Sequence, residues 1–178
     1  LQSSMKLGRE MAIRFRGLDL TWLVSWLYLW FQWFFRPTAI CMVGALATAA
    51  GCVALLHIDM LAAQIVDMHD YFGPGSWLLL ACTLAATKML QEMGHALACK
   101  HCGGECHEIG VMLLVFTPCL YCDVSDSWLL PSKWQRAAIA AAGMYVEVTL
   151  ASIATLIWWL SAPGVLHFLS LQVILICS

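Results

Sequence analysis

Gln91-Glu92-Met93-Gly94-His95 is the stretch of this chain whose residue types and spacing could do chemistry. It follows the His-Glu-x-x-His pattern that holds a hydrolytic zinc, with glutamine in place of the first histidine. On a helix, positions 91 and 95 lie one turn apart, roughly 40° from eclipsed, so two side chains there can grip one metal ion. Glu92 would point towards the same site and is suited to act as general base on a metal-bound water. A glutamine oxygen is a weaker, neutral donor, and it lacks the second ring nitrogen through which outer groups orient a histidine. The spacing therefore predicts a metal site that is weakened at its first ligand.

These residues need a scaffold, and composition says which kind. The chain is 62% hydrophobic and 11% charged, with a mean hydropathy of +0.80, outside the range of ordinary soluble domains. Nine tryptophans fit a chain in a bilayer and at its interfaces. A net charge of −2 gives no case for a nucleic-acid partner. The expected fold class is all-α integral membrane, a multi-span helical bundle with a short irregular or re-entrant element near 103–132. Spans are expected near 38–57, 76–99 and 136–160, with a fourth beginning at Gly164. Leu18 to Phe35 reads as an interfacial helix, because of its aromatic load and the Asp19 and Gln32 near its ends. Two regions follow: a basic, interfacial segment over 1–36 and a membrane domain over 37–178. With Leu1 at the start and an apolar run ending at Ser178, the sequence reads as a piece of a longer membrane protein.

Turn residues and charges punctuate the rest. Residues 58–75 read as an acidic connector, with His57, His69, Asp59, Asp67 and Asp70 in a solvated loop. Between 103 and 132, short apolar pieces alternate with Pro118, Asp123, Asp126 and Pro131. Non-helical backbone at membrane depth must be buried in protein or line a wet cavity, so a short hairpin or re-entrant element beside the motif is expected. Basic residues cluster before the first span and between the second and third, which places the N-terminus and residues 100–136 on the cytoplasmic side.

The ordered set of residues from Lys88 to Trp159 resembles the site-2 protease family of intramembrane zinc metallopeptidases, in its bacterial peptide zinc metalloprotease branch. The resemblance runs through Lys88 to Leu97, Gly103-Gly104-Glu105 and Pro118-Cys119-Leu120-Tyr121-Cys122-Asp123. It continues in Trp134-Gln135-Arg136-Ala137-Ala138-Ile139 and Ala142-Gly143-Met144-Tyr145-Val146-Glu147. It implies an integral protein of the bacterial cytoplasmic membrane that binds zinc and cleaves peptide or membrane-protein substrates. By that resemblance His95 matches the second histidine ligand and Glu92 the catalytic glutamate, while Gln91 departs from the first ligand position. The family's third ligand, an aspartate, belongs downstream of residue 178. Gly143 and Glu147 fall where relatives place a Gly-x-x-x-Asn pair near the substrate, with glutamate here replacing asparagine.

Other readings compete for the same residues. His95 could be a buried histidine bonded to a neighbour, and Lys88, one turn before Glu92, could be its ion-pair partner. Cys99, Cys102, Cys106, Cys119 and Cys122, with His101 and His107, have the spacing of a closed structural zinc site. Cysteine also serves as a small apolar residue, as Cys41, Cys52, Cys82 and Cys177 do in their apolar runs. Glu92, His95 and Glu147 are expected to face one shared polar cavity, because ionisable groups at membrane depth need water, a metal or a partner. Two function classes stand side by side: a membrane-embedded zinc endopeptidase impaired at Gln91, and a catalytically inactive relative that binds peptides or membrane partners. A transporter or accessory subunit is a third.

Overall fold

Pro37 opens a 20-residue apolar helix. Its ring fits the first helical position, and it holds Arg36 extended, at φ −72° and ψ 147°. The helix it starts is one of several in the computed structural model, which describes residues 12–14, 21–68, 74–104, 109–114, 117–122 and 132–177. Strand β1 (Ala12–Arg14) precedes α1 (Thr21–Phe31), which tightens into a 3-10 turn over Gln32–Phe35. Then come α2 (Pro37–Leu56), α3 (Ile58–Met68) and α4 (Pro74–His101). Strands β2 (Ile109–Leu114) and β3 (Thr117–Cys122) follow, then α5 (Lys133–Leu160) and α6 (Val165–Cys177).

Two of these helices, α2 and α5, are long and apolar enough to cross a membrane. Only 17% of the apolar window of α2 and 28% of that of α5 is buried, whereas the core helix of a soluble protein is mostly buried. In α2 only Ala39 and Ala50 are buried, and Ile40, Met42, Leu55 and Leu56 are exposed. Helix α4 has the expected position and a sufficient length of 28 residues. Lys88, Gln91, Glu92, His95 and Lys100 lower its apolar character.

The acidic connector expected at 58–75 is corrected over its first half: Ile58–Met68 is a helix, separated from α2 by His57 alone. Ile58, Leu61 and Ile65 recur at helical spacing, and Asp59 in the first turn suits the positive end of the helix dipole. The aspartates suggested solvent, but they sit on a helix that has an apolar stripe. Asp70 and His69 lie outside the described residues.

The expected hairpin is present. β2 pairs with β3 antiparallel, from Ile109↔Cys122 to Leu114↔Thr117, across a two-residue connection. The pair flanking such a connection exchanges hydrogen bonds, so its neighbour Leu113↔Pro118 is a non-bonded pair. Proline's missing N–H therefore faces the open edge, where no ladder bond is lost. β1 adds to the other side of β2, through Ala12↔Leu114, Ile13↔Leu113 and Arg14↔Met112. This makes a three-stranded sheet in the order β1-β2-β3, a small addition to a fold that is otherwise helical. The strand at 12–14 was not expected: three residues are too few to show alternation.

The chain divides into two compact units, one from residues 1–35 and 88–143, the other from 36–87 and 144–178. Within the second, Ala154, Trp158, Leu171 and Ile174 form a core against which Leu61, Ile65, Phe168 and Val173 pack. Polar side chains there bond to one another. Gln64 Oε1 accepts from Trp158 Nε1 at 2.7 Å and lies 3.0 Å from His167 Nε2. An amide oxygen only accepts, so the proton of that second bond sits on Nε2. The other ring nitrogen, Nδ1, then accepts from Ser161 Oγ at 3.1 Å. Gln172, fully buried, accepts from Thr83 Oγ1 at 3.1 Å, and its Nε2 has no partner among the described residues. Replacing Gln64 by leucine removes the acceptor of two donors at once, the buried Trp158 and the partly buried His167. Thermal or denaturant unfolding in detergent should show a loss of about 1–2 kcal/mol for Gln64→Leu, and unchanged stability would contradict the shared-acceptor arrangement.

Candidate functional site

A helical backbone carbonyl has two lone pairs, and only one is used by the N–H four residues on. The carbonyl of Ile139 on α5 uses the other to accept from the ring of His95, with Nδ1 at 2.8 Å. A carbonyl cannot donate, so Nδ1 of His95 carries a proton. The ring can lie there because position 143, one turn beyond Ile139, has no side chain. A methyl on Gly143 would overlap His95 Nε2, come within 2.7 Å of its Cε1, and stand 3.1 Å from Gln91 Cγ. The first unit thus brings together three of the residues singled out from the sequence: Gln91, His95 and Gly143.

The helix that carries the motif is held on both sides of it. Val24 of α1 is buried with Ala96 and Leu97, and Leu27, Tyr28, Phe35 and Met93 pack around them. A second cluster joins Ala98, Cys99, Ile139 and Ala142, with Phe35 and Cys102 at its rim. The small residues Gly94, Ala96, Ala98 and Cys99 are all buried, which lets neighbouring elements approach closely. At the end of α4, His101 is stacked by Phe35 at 5.1 Å and bonded to the Tyr28 hydroxyl at 3.0 Å. Gly103, at φ 85°, then stops the helix: Gly103 N–H bonds to Lys100 O and Gly104 N–H to Cys99 O, a Schellman closure that needs the left-handed residue.

Gln91 and Glu92 are both partly buried. Lys88 Nζ donates to Gln91 Oε1 at 2.8 Å, so the side chain in the first ligand position already accepts from an ammonium group. Glu147 is partly buried on α5, one turn beyond Gly143, and falls in the second unit. His95, the one imidazole of the motif, has Nδ1 bonded to the Ile139 carbonyl and Nε2 turned towards Gly143. Among the described residues, no group of three or more His, Cys, Asp or Glu side chains is placed to hold a metal ion. The described residues of the motif thus do not make up a metal centre, and Gln91 Oε1 accepts from Lys88.

The cysteines give no closed site among the described side chains. Cys99 is fully buried, with its Sγ only 2.7 Å from where a methyl on Gly104 would stand. Cys106 and the side chains of Cys119 and Cys122 lie outside what the structure describes. Burial pushes the Cys102 thiol up from its ordinary value.

Sequence reasoning missed Ile139, whose contribution is a backbone oxygen and leaves no trace in residue type. It also missed the Tyr28–His101–Phe35 clasp, which joins residues far apart in the chain. The spacing of Ile139 and Gly143, one helical turn, was the available signal. Compared with protein-family models, with curated proteins and with solved structures, the chain gives no significant match. The resemblance to site-2 proteases therefore rests on the quoted residues.

Two outcomes test this geometry. Gly143→Ala should push the His95 ring off the Ile139 carbonyl and cost about 1–3 kcal/mol. Unfolding in detergent and the Nδ1 proton resonance of His95 both report it, and a neutral substitution would show that the ring does not need the glycine. A raised Cys102 pKa leaves less thiolate at any given pH, so its alkylation at pH 8 should be slower than that of a free thiol. Peptide mass spectrometry reads the rate, and labelling as fast as glutathione would contradict the burial.

Proposed function

We propose that this chain is a membrane-embedded protein of site-2 protease type, a zinc endopeptidase framework whose hydrolytic centre is impaired in this copy at Gln91. The observation that carries the reading is the bond from Lys88 Nζ to Gln91 Oε1. In the family the first ligand offers a nitrogen lone pair to zinc. Here the side chain in that place offers its oxygen to the protein's own cation. A divalent ion would have to displace or repel that ammonium, and it would gain a weaker donor in return. No step of hydrolysis is assigned to a metal in this form of the site.

What remains suits peptide binding. Glu92, partly buried, lies one helical turn before His95, and Gly143, having no side chain, lets the His95 ring and Gln91 lie against α5. The lengths and apolar character of α2 and α5 support a bilayer as the surrounding medium. Under this reading α4 also spans it, with Glu92 and His95 kept off lipid, and the N-terminus lies on the cytoplasmic side. The ligand is a peptide or a segment of a membrane protein, and the localisation is the bacterial cytoplasmic membrane that the resemblance implies. Unsubstituted, the molecule acts as an inactive, peptide-binding relative, and with the first ligand restored, as an enzyme.

The test uses the full-length protein in lipid vesicles, with bound zinc measured by mass spectrometry and cleavage of a membrane peptide followed with and without chelator. The unsubstituted protein should hold little zinc and cleave little. Gln91→His combined with Lys88→Met should restore both, and Gln91→His alone should restore less. Adding Glu92→Gln should abolish cleavage and leave zinc bound. Chelator-sensitive cleavage by the unsubstituted protein would overturn the impairment, and failure of the double variant to take up zinc would overturn the zinc framework.

A further inference from the structure

We propose that α1 lies in the plane of a membrane interface on a face of tryptophans, and that it thereby holds Glu92 and His95 at interfacial depth. The membrane placement rests on the reading above; the tryptophan face is independent of it. One side of α1 is spent on protein: Val24 is 1% exposed, packed with Ala96 and Leu97, and Leu27 and Tyr28 belong to the same cluster. The other side is open. Trp22, Trp26 and Trp30, at successive helical turns, are 69%, 52% and 65% exposed, with Leu29 beside them and Trp33 just beyond.

Length decides how such a face can meet a bilayer. Eleven residues make a helix of roughly 16 Å, against a hydrocarbon core of about 30 Å, so α1 cannot cross it. Residue type decides which medium covers the face. Aliphatic side chains would serve for the hydrocarbon interior; indole has a flat apolar body and one N–H donor, and it concentrates where acyl chains meet headgroups. Chain continuity points the same way. In sequence, Trp33 stands three residues before Arg36, where a helix of membrane-spanning length begins. Residues 1–36 carry five Lys or Arg against two Asp or Glu, a balance that suits anionic headgroups.

The depth of the motif follows from the packing. Val24 touches the α4 residues that flank His95 on its C-terminal side, and Met93, on its N-terminal side, packs into the same cluster. A helix anchored in the interfacial plane therefore fixes His95 within a turn or two of that plane. The peptide segment that reaches it lies at the edge of a membrane span and not at the bilayer centre.

Depth-resolved quenching tests this. The full chain is placed in vesicles of phosphatidylcholine and phosphatidylglycerol carrying bromine at different acyl positions. Fluorescence is read from variants that retain only Trp22, Trp26 or Trp30, the other tryptophans being replaced by phenylalanine. Where such a variant does not fold, the same depth is taken from the difference between the unsubstituted protein and its single Trp→Phe variant. The three depths should agree within about 3 Å, near the headgroup–acyl boundary. A steady change of about 12 Å from Trp22 to Trp30 would mean a helix crossing the bilayer, and would overturn the proposal. Absence of quenching at all three while Trp159 is quenched would mean that protein covers the face, and would overturn it too. Loss of quenching at Trp159 as well would remove the membrane reading and this proposal with it. Failure of the zinc and cleavage tests alone would leave these depths as expected.

Discussion

The arrangement around the motif depends on one missing methyl group. A helix carbonyl normally shows its second lone pair to whatever lies over the following turn, and in most helices that space is filled by a Cβ. At Gly143 it is not, and the ring of His95 occupies it, bonded to Ile139 O. That contact puts a proton on Nδ1 of His95 and sets the closeness of α4 and α5 within the first unit. It also sets the position of Gln91, whose Cγ stands next in line. The buried alanines on both helices act in the same direction: with little side chain between them, the backbones approach until a hydrogen bond across them is possible.

The second unit resolves a different constraint. Its helices are apolar, yet Thr83, Thr87, Ser152, Thr155, Ser170 and Gln172 are buried in them. Most of the hydroxyls are satisfied locally, by bonding back to the carbonyl one turn earlier, as Thr87 does to Thr83 O and Thr155 to Ala151 O. Such bonds cost the fold nothing in packing partners. The long-range bonds, from Trp158 and His167 to Gln64 and from Thr83 to Gln172, are left to specify which faces meet. In an apolar medium such bonds are a source of specificity that dispersion between similar aliphatic surfaces does not provide.

Much of the helical layout was legible because it rests on run length and punctuation. Pro37 and the apolar stretch after it announce α2, and Gly103-Gly104 ends α4 where a left-handed residue is required. Legibility failed where one signal hid another. The aspartates of 58–68 masked an apolar stripe at helical spacing, and a three-residue strand is too short for a pattern. The motif's residues were visible in the sequence, and the structure brings two of them, Gln91 and His95, against Gly143. The support around them was not visible, since Ile139 acts through a main-chain atom, and since Lys88 could reach either Gln91 or Glu92 by spacing alone. The coordinates show that Gln91 receives a bond from Lys88.

Gly143 and Gln91 also differ in what heredity can do with them. Glycine is the one residue without a Cβ, so every amino-acid change at position 143 meets the His95 ring, whichever base of its codon is altered. Glutamine and histidine codons differ only at the third base. The contact between Gly143 and His95 is therefore closed to single-step drift, while position 91 beside it lies one nucleotide from imidazole. One mutation in this sequence could thus place a second imidazole at position 91, one helical turn before His95.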